Sequence, residues 1–453
     1  MSVVSKSQAQ KQDLLNNRKS FCILPWVHLY AEPDGTIFPC CTATPLWDGE
    51  MGEPGTRTDP HFATSNIKDK SILEALNTPN FNKLRLDMLN GDELPSTCTR
   101  CKRFEDVGND SYRQYGRRHF GQFVDAIDNT NEDGSLKKLD LKFLNVRFSN
   151  HCNMACLTCN AQWSTSWYDK SPWLWKDPTR TKLLDLNDNS KYPIWEELQP
   201  YLHTVEKIYF TGGEPLMMPA HWKILEYLVD NNLQDKVELQ YNTNLSRLKF
   251  GKQHAMDYWP KFKEIDLGLS IDGVERDVEI IRWNTKWKDV YNNIKEIQKY
   301  DNIRYSIDSV VSIFNIHHLP KMVRYFHNEG LVKYNTNTVA NIAHEPEPLS
   351  LTSIPADMKP AIEEFLKLEW SKLPVNIKAR YQNPGWQTCI DYMYARDTYK
   401  PGRLSEHLNS TLKFAKDAVL EHIPLVRMIN DIDHPFDRWN KDIGESGGYK
   451  EPI

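Results

Sequence analysis

From residue 139 to about residue 340 the chain repeats one pattern, a short run of β-forming apolar residues followed by a stretch with apolar positions at helical spacing. The strand runs fall at 139–148, 205–210, 237–241, 265–271, 305–311 and 333–337. Between them Ile224, Leu225, Leu228 and Val229 mark one helix face, and Val290, Ile294 and Ile297 mark another. Met322, Val323 and Phe326 mark a third, which stops at Gly330. Strands that alternate with helices need crossover connections, so their sheet is parallel. Two arrangements satisfy this pattern, a partial barrel and an open doubly wound sheet. Both place their chemistry at the carboxyl ends of the strands.

Cysteine usage shows which chemistry to look for there. The chain has nine cysteines: Cys22, Cys40, Cys41, Cys98, Cys101, Cys152, Cys156, Cys159 and Cys389. The first twenty residues lack an apolar core segment, so no secretory signal is read there and a reducing, cytoplasmic setting is expected. In such a setting clustered thiols are metal ligands rather than disulfide partners. Cys152, Cys156 and Cys159 lie within eight residues, directly after the first barrel strand. Three thiolates on one strand-end loop can converge on one centre. A cubane [4Fe–4S] cluster held by three leaves one iron open to a further ligand. A zinc site completed by His151 is the blander reading of the same spacing.

The next strand ends are also polar. Thr211-Gly212-Gly213-Glu214-Pro215 follows the second strand, and its glycines let backbone approach a ligand closely. Asn242-Thr243-Asn244 follows the third strand, and Ser270-Ile271-Asp272-Gly273 the fourth. Each could be an ordinary strand-terminal turn. Four in succession at one end of a sheet suggest a site.

In this order the three-cysteine loop, the GGEP turn, the TN pair and the S-x-D-G turn resemble the radical SAM superfamily. That resemblance implies a partial (β/α)6 barrel of TIM type. It implies that Cys152, Cys156 and Cys159 hold a [4Fe–4S] cluster whose open iron is chelated by S-adenosylmethionine. Glu214 would then accept hydrogen bonds from the methionine amino group, with Gly212 and Gly213 letting the backbone come close to the cofactor. Asn244 and Ser270 would contact ribose or carboxylate, Asp272 would support its loop, and Arg282 would pair with the methionine carboxylate. Asn242 and Asn315 are weaker candidates. One position departs from the family pattern: the residue before the last cysteine is Thr158 rather than an aromatic. Trp163 or Trp167 is the expected replacement, within a tryptophan-rich run that also includes Trp173 and Trp175.

The N-terminal region carries a second thiol set. Val27, Leu29 and Ala31 alternate, Asp34-Gly35 turns the chain, and 36–38 return as a hairpin. Ser71 with Glu74 forms a capping box, and Phe81, Leu84 and Met88 make a helix face ending at Gly91. With Cys22, the Cys40-Cys41 pair and Cys98-x2-Cys101, this region is similar to the SPASM/twitch auxiliary-cluster module. The resemblance implies a second [4Fe–4S] cluster on Cys22, Cys40, Cys98 and Cys101, with Cys41 spare. A structural zinc site on the same thiolates is the alternative. The module usually follows the barrel, whereas here it precedes it.

The expected organisation is a disordered tail (1–20), a small α+β twitch-like iron–sulfur domain (21–123), a linker (124–138), the barrel (139–343) and a mostly helical C-terminal extension (344–453). Helices are expected at 361–370 and 414–425, and His317, His318 and His422 are read as surface residues. The implied activity is reductive cleavage of S-adenosylmethionine to a 5′-deoxyadenosyl radical and oxidative modification of a peptide or protein. A sugar or aminocyclitol-like small molecule is the second substrate class, and a non-catalytic iron–sulfur or zinc binding module the competing type of function. A flavodoxin- or ferredoxin-like reductant is implied. The net charge of -5 and the absence of a long apolar run point away from nucleic acid and membrane.

Overall fold

The computed structural model describes residues 6–43, 65–91, 93–106, 108, 110–170, 183–186, 193–333, 338–375 and 385–430. The chain divides into two compact units. One comprises Met1–His151, Leu183–Tyr241 and Lys261–Lys263, and the other Cys152–Lys182, Asn242–Pro260 and Glu264–Ile453. The strands are β1 (His28–Ala31), β2 (Ile37–Phe38), β3 (Phe143–Val146), β4 (Ala155–Cys156), β5 (Lys207–Phe210) and β6 (Glu238–Thr243). They continue with β7 (Lys249–Phe250), β8 (Gln253–His254), β9 (Glu264–Ser270), β10 (Arg282–Trp283), β11 (Ile303–Val311) and β12 (Thr338–Ile342).

In the first unit the strand order is β2-β1-β3-β5-β6, with every pairing parallel except the β1–β2 hairpin. In the second it is β9-β11-β12, all parallel, with Asp308 opposite Ser270 in register. A doubly wound sheet reverses its strand order at a switch point. Here β3, β5 and β6, and likewise β9, β11 and β12, follow one another in space as in sequence, the single-direction winding of a barrel. The fold is α/β, a mostly parallel central sheet with helices and a helical C-terminal region. The alternation that announced the strands is visible in β11, where Ile303, Tyr305, Ile307, Ser309 and Val311 are buried and the intervening residues are not.

Several boundaries differ from expectation. The last strand was expected at 333–337 but is formed by Thr338–Ile342; residues 334–337 lie outside the described set. The tail is not frayed throughout. Gln8–Asn16 is a helix with a Ser7/Gln10 capping box; it buries Leu14 and Leu15, and buried Lys11 pairs with Asp125 at 2.8 Å and Asp128 at 2.5 Å. Where a linker was expected, Gly121–Asn129 coils as a 3-10 helix with Val124, Ala126 and Ile127 buried, and Thr130 bridges Leu136. The expected 414–425 helix is two, Lys416–His422 and Pro424–Asn430, broken where Pro424 removes a donor.

The Ser71/Glu74 capping box forms as expected, and Gly35 turns the hairpin at a φ of 91°. Arg85, on the helix Pro79–Asn90, is fully buried. It donates to the carbonyls of Gly134 (2.7 Å) and Leu76 (2.8 Å) and to the side chain of Asn82 (2.8 Å). Burial pulls its guanidinium down to about 9. His317 is also buried, contrary to the surface reading. Its ring lies 3.9 Å from that of His318 at a 54° tilt; His318 lies 3.4 Å from Asp277, and burial pulls His318 down to about 3. No helix among the described residues is long and apolar enough to cross a membrane.

Candidate functional site

In the first unit, the loop after β3 and the GGEP turn after β5 touch through their backbones. The Gly213 amide donates to the Ser149 carbonyl at 3.0 Å, and the Glu214 amide to the His151 carbonyl at 2.8 Å. A side chain at Gly213 would stand 2.3 Å from the His151 carbonyl oxygen, and one at Gly212 would stand 2.9 Å from that of Ser149. Gly212 also has a φ of 114°, so the glycine pair is required both sterically and conformationally. Glu214 is buried, and its carboxylate accepts from the Leu216 amide at 3.3 Å, capping the short turn Pro215–Met217.

In the second unit, Cys152, Cys156 and Cys159 are half-buried thiols on one loop. Three consecutive hydroxyl residues clasp its beginning. Ser164 donates to the Met154 carbonyl at 2.6 Å, Ser166 donates to the Cys152 carbonyl at 2.8 Å, and Thr165 accepts from the Cys152 amide at 3.4 Å. The far side of the loop is a two-residue antiparallel ladder, β4 with β10, which sets Arg282 opposite Cys156 and Trp283 opposite Ala155. The Leu157 amide extends it, donating to the Ile281 carbonyl at 2.8 Å.

Arg282 is buried, not the solvated arginine its charge alone would suggest. Its Nε lies 2.9 Å from Asp272 Oδ2, and its Nη1 lies 3.8 Å from Cys156 Sγ. Burial works against its charge, and Asp272 and Cys156 outweigh that, so its pKa is raised. Burial raises the Cys156 thiol against the pull of Arg282. Burial and the neighbouring Cys156 push Cys159 up to about 12. Thiols stored in protonated form must release protons when they ligate, and a fixed cation beside them favours that release.

The other expected site residues in this unit hold the loop or its surroundings. Asp272 is fully buried and accepts from the Val310 amide at 2.7 Å, while Asn315 donates to the Asp272 carbonyl at 3.0 Å. Asp272 thus braces its turn and orients Arg282. Asn244 donates to the Asn153 side chain at 3.0 Å, and Asn153 donates to Ser246 at 2.9 Å, tying the cysteine loop to the segment 244–246. Ser270 closes β9. Trp167 is buried edge-on against Phe414, so its face is not offered to an adenine. Trp173 and Trp175 lie outside the described residues. Sequence reasoning missed the Ser164–Ser166 clasp and Asn153; a run of three hydroxyl residues just after the cysteines was the available signal.

The auxiliary thiols lie together in the first unit. Cys22 precedes the turn Leu24–Val27, Cys40 follows β2, Cys98 ends the turn Ser96–Cys98, and Cys101 is buried in the helix Thr99–Asp106. Thr42 Oγ1 lies 3.3 Å from Cys40 Sγ and 4.0 Å from Cys101 Sγ. Burial and the nearby Cys101 push Cys22 up to about 12. Cys98 is raised by burial, then by Cys40, Cys22 and Cys101. Cys40 is raised by burial and by Cys41, Cys22 and Cys101. Cys41 differs from the other four: it bonds to the Tyr112 hydroxyl and lies in the field of Arg147. Arg113, paired with Glu105, donates to the Phe21 carbonyl at 3.2 Å beside Cys22. Among the described residues, no three metal-ligating side chains are drawn as close as a single ion would require. All nine cysteines are free thiols, a donor set suited to iron–sulfur clusters.

Comparison with known proteins agrees with this donor chemistry. Residues 22–102 match SPASM, an iron–sulfur cluster-binding domain, and residues 146–326 match the radical SAM superfamily. No curated protein matches the chain. Among solved structures it is similar to native anSMEcpe with bound AdoMet, at 17% identity and a TM-score of 0.35, over 51% of this chain and 61% of that one. It is also similar to Streptococcus suis SuiB bound to S-adenosylmethionine, at 13% identity and a TM-score of 0.31, over 65% of this chain and 62% of that one. The chain therefore spans about three fifths of the length of these two solved proteins. The two domains bring [4Fe–4S] clusters and S-adenosylmethionine as cofactors. This chain therefore carries a radical SAM domain, with a SPASM iron–sulfur cluster-binding domain ahead of it in the sequence.

Proposed function

We propose that this enzyme oxidises a peptide or protein side chain, with Cys152, Cys156 and Cys159 holding the cluster that binds S-adenosylmethionine and Cys22, Cys40, Cys98 and Cys101 holding a second, fully ligated cluster. The observation that carries this reading is the second thiol set: four cysteines gathered from across 80 residues of sequence, of which Cys22, Cys40 and Cys98 are raised by burial and by their neighbouring thiols. When bound, the first cluster and S-adenosylmethionine supply hydrogen-atom abstraction; an all-cysteine cluster has no open iron and supplies only electron exchange. That pairing suits net removal of two hydrogens from substrate better than isomerisation.

The chain's own residues hold and shield these groups. The Ser164–Ser166 hydroxyls and Asn153 fix the loop backbone, and Asp272 fixes Arg282 against Cys156. Arg282 is the cation beside Cys156, and it would pair with the carboxylate of a bound methionine. Glu214 would accept from its amino group, and Gly212 and Gly213 admit the Ser149 and His151 backbone close to that turn. Ser270, at the end of β9, and Asn244 would contact the ribose or carboxylate. Peptide substrates are favoured over a sugar because enzymes that carry a SPASM module mostly act on peptides. The reductant would be a small electron carrier of the flavodoxin or ferredoxin type.

Anaerobic reconstitution tests the reading. About eight iron atoms per chain are expected. Adding S-adenosylmethionine and reductant should give 5′-deoxyadenosine, at a rate that rises with a peptide library and yields a peptide two hydrogens lighter. Stimulation by polyols and not by any peptide would replace the substrate class. Zinc without 5′-deoxyadenosine would refute the enzyme assignment.

A further inference from the structure

The three-cysteine loop has two flanks, and a residue of the C-terminal extension touches both. One flank is the hydroxyl clasp, in which Ser164, Thr165 and Ser166 hold the backbone of Cys152 and Met154. Trp167 follows immediately, buried to 2% exposure, and its ring meets Phe414 edge-on at 5.4 Å with an 88° interplanar angle. The other flank is the β4–β10 ladder, in which Trp283 pairs with Ala155. Trp283 also meets Phe414 edge-on, at 5.4 Å and 79°. Phe414 lies just ahead of the helix Lys416–His422, which packs against the helix Glu275–Ile281 that leads into Arg282. The wedge is therefore anchored on the element that delivers the arginine beside Cys156.

We propose that Phe414 is a positioning residue for the radical SAM cluster loop, and that the C-terminal extension is part of the cluster-binding site rather than an appendage to the barrel. Among the described residues, the loop is held by the hydroxyl clasp, the Asn153–Asn244 link and one short ladder. A loop held this way keeps its thiols in place only if its two flanks stay apart at a fixed distance. An aromatic ring set edge-on between two indoles does this with directional packing that an aliphatic side chain of similar volume cannot reproduce. The inference rests on the superfamily assignment and not on the proposed substrate, so it survives if the peptide reading fails.

The test uses the full chain in two states. In metal-free protein, amide hydrogen exchange is followed at Leu157 and Trp167, with Ile294 of the barrel as reference. Phe414→Ala should speed exchange at the first two by about tenfold, the scale set by removing both edge-on ring pairings at once, and leave Ile294 unchanged. After anaerobic reconstitution, the spectral shift that S-adenosylmethionine induces in the paramagnetic resonance signal of the reduced cluster should be broadened or lost in Phe414→Ala and restored in Phe414→Tyr. Ile362→Ala, a fully buried position in the helix Lys359–Ser371 of the same extension, should alter neither measurement. Unchanged exchange and an unchanged resonance shift in Phe414→Ala would overturn the proposal, as would identical changes in Ile362→Ala. If Phe414→Ala does not fold, Phe414→Leu decides in its place: wild-type exchange at Leu157 and Trp167 in that variant overturns the proposal.

Discussion

The two thiol sets solve one chemical problem in opposite ways. Cys152, Cys156 and Cys159 are close in sequence and half-buried, and they are held by polar bonds to their backbone with the Arg282 cation beside Cys156. Cys22, Cys40, Cys98 and Cys101 are far apart in sequence and are brought together by two turns, a hairpin and a helix, with burial and the neighbouring thiols raising Cys22, Cys40 and Cys98. A loop can place three ligands and leave room for a fourth of another kind. Four ligands from four elements close a site on all sides. Under the proposed function, the contrast is between a centre built to react and a centre built to stay intact.

The strongest way to break this comparison is to remove one ligand from each set. Cys156→Ala should abolish 5′-deoxyadenosine formation altogether and lower bound iron from about eight to about four per chain. Cys98→Ala should lower iron by the same amount yet still cleave S-adenosylmethionine, now without modifying substrate. Iron counts and deoxyadenosine chromatography check both. Cleavage by the Cys156 variant at the wild-type rate would invert the assignment of roles.

Asp272→Asn comes next in size. Asp272 is fully buried and neutralises Arg282, so the amide leaves a buried cation without its partner, a loss of about 3–5 kcal/mol in stability. Outer ligand-shell substitutions of this kind typically cost about 10–100-fold in affinity. The expected outcome is a lower melting temperature and S-adenosylmethionine binding weakened by that factor, with auxiliary iron retained. A melting shift alone, with binding intact, would mean that Asp272 supports its turn and does not orient Arg282.

How far each set could be read in advance follows the same division. The spacing of Cys152, Cys156 and Cys159 is local, and β9 and β11 were legible because alternating burial writes itself into every second residue. The supports of the loop were not legible. Ser164, Thr165 and Ser166 carry no periodicity, and Phe414 is separated from Trp167 by more than half of the chain. Residues 8–16 looked like a polar tail because Lys11 is buried only through Asp125 and Asp128, a pairing that no local pattern encodes. His317 was misread for a related reason: its burial comes from packing around the turn Ile316–His318, not from a stripe on its own helix. Asn244, expected on the ligand, also bonds the cysteine loop, a use that its residue type at a strand end does not announce.

The smallest expected effect sharpens the comparison most finely, because it separates adjacent residues. Cys40 and Cys41 are equally plausible ligands in sequence. In the structure Cys40 shares Thr42 with Cys101 and lies in the field of Cys22, whereas Cys41 bonds to Tyr112. Cys41→Ser keeps a group that can bond to the tyrosine, so iron content, cluster spectra and product yield should stay near wild type, with a stability change of about 1 kcal/mol or less. Cys40→Ser should lose the auxiliary cluster and behave like Cys98→Ala. If instead the Cys41 variant drops to about four irons per chain and the Cys40 variant keeps about eight, the hairpin presents its other thiol to the cluster. The site would then be closed from the Tyr112 side, and the contrast between the open and the closed centre would still hold with a different fourth ligand.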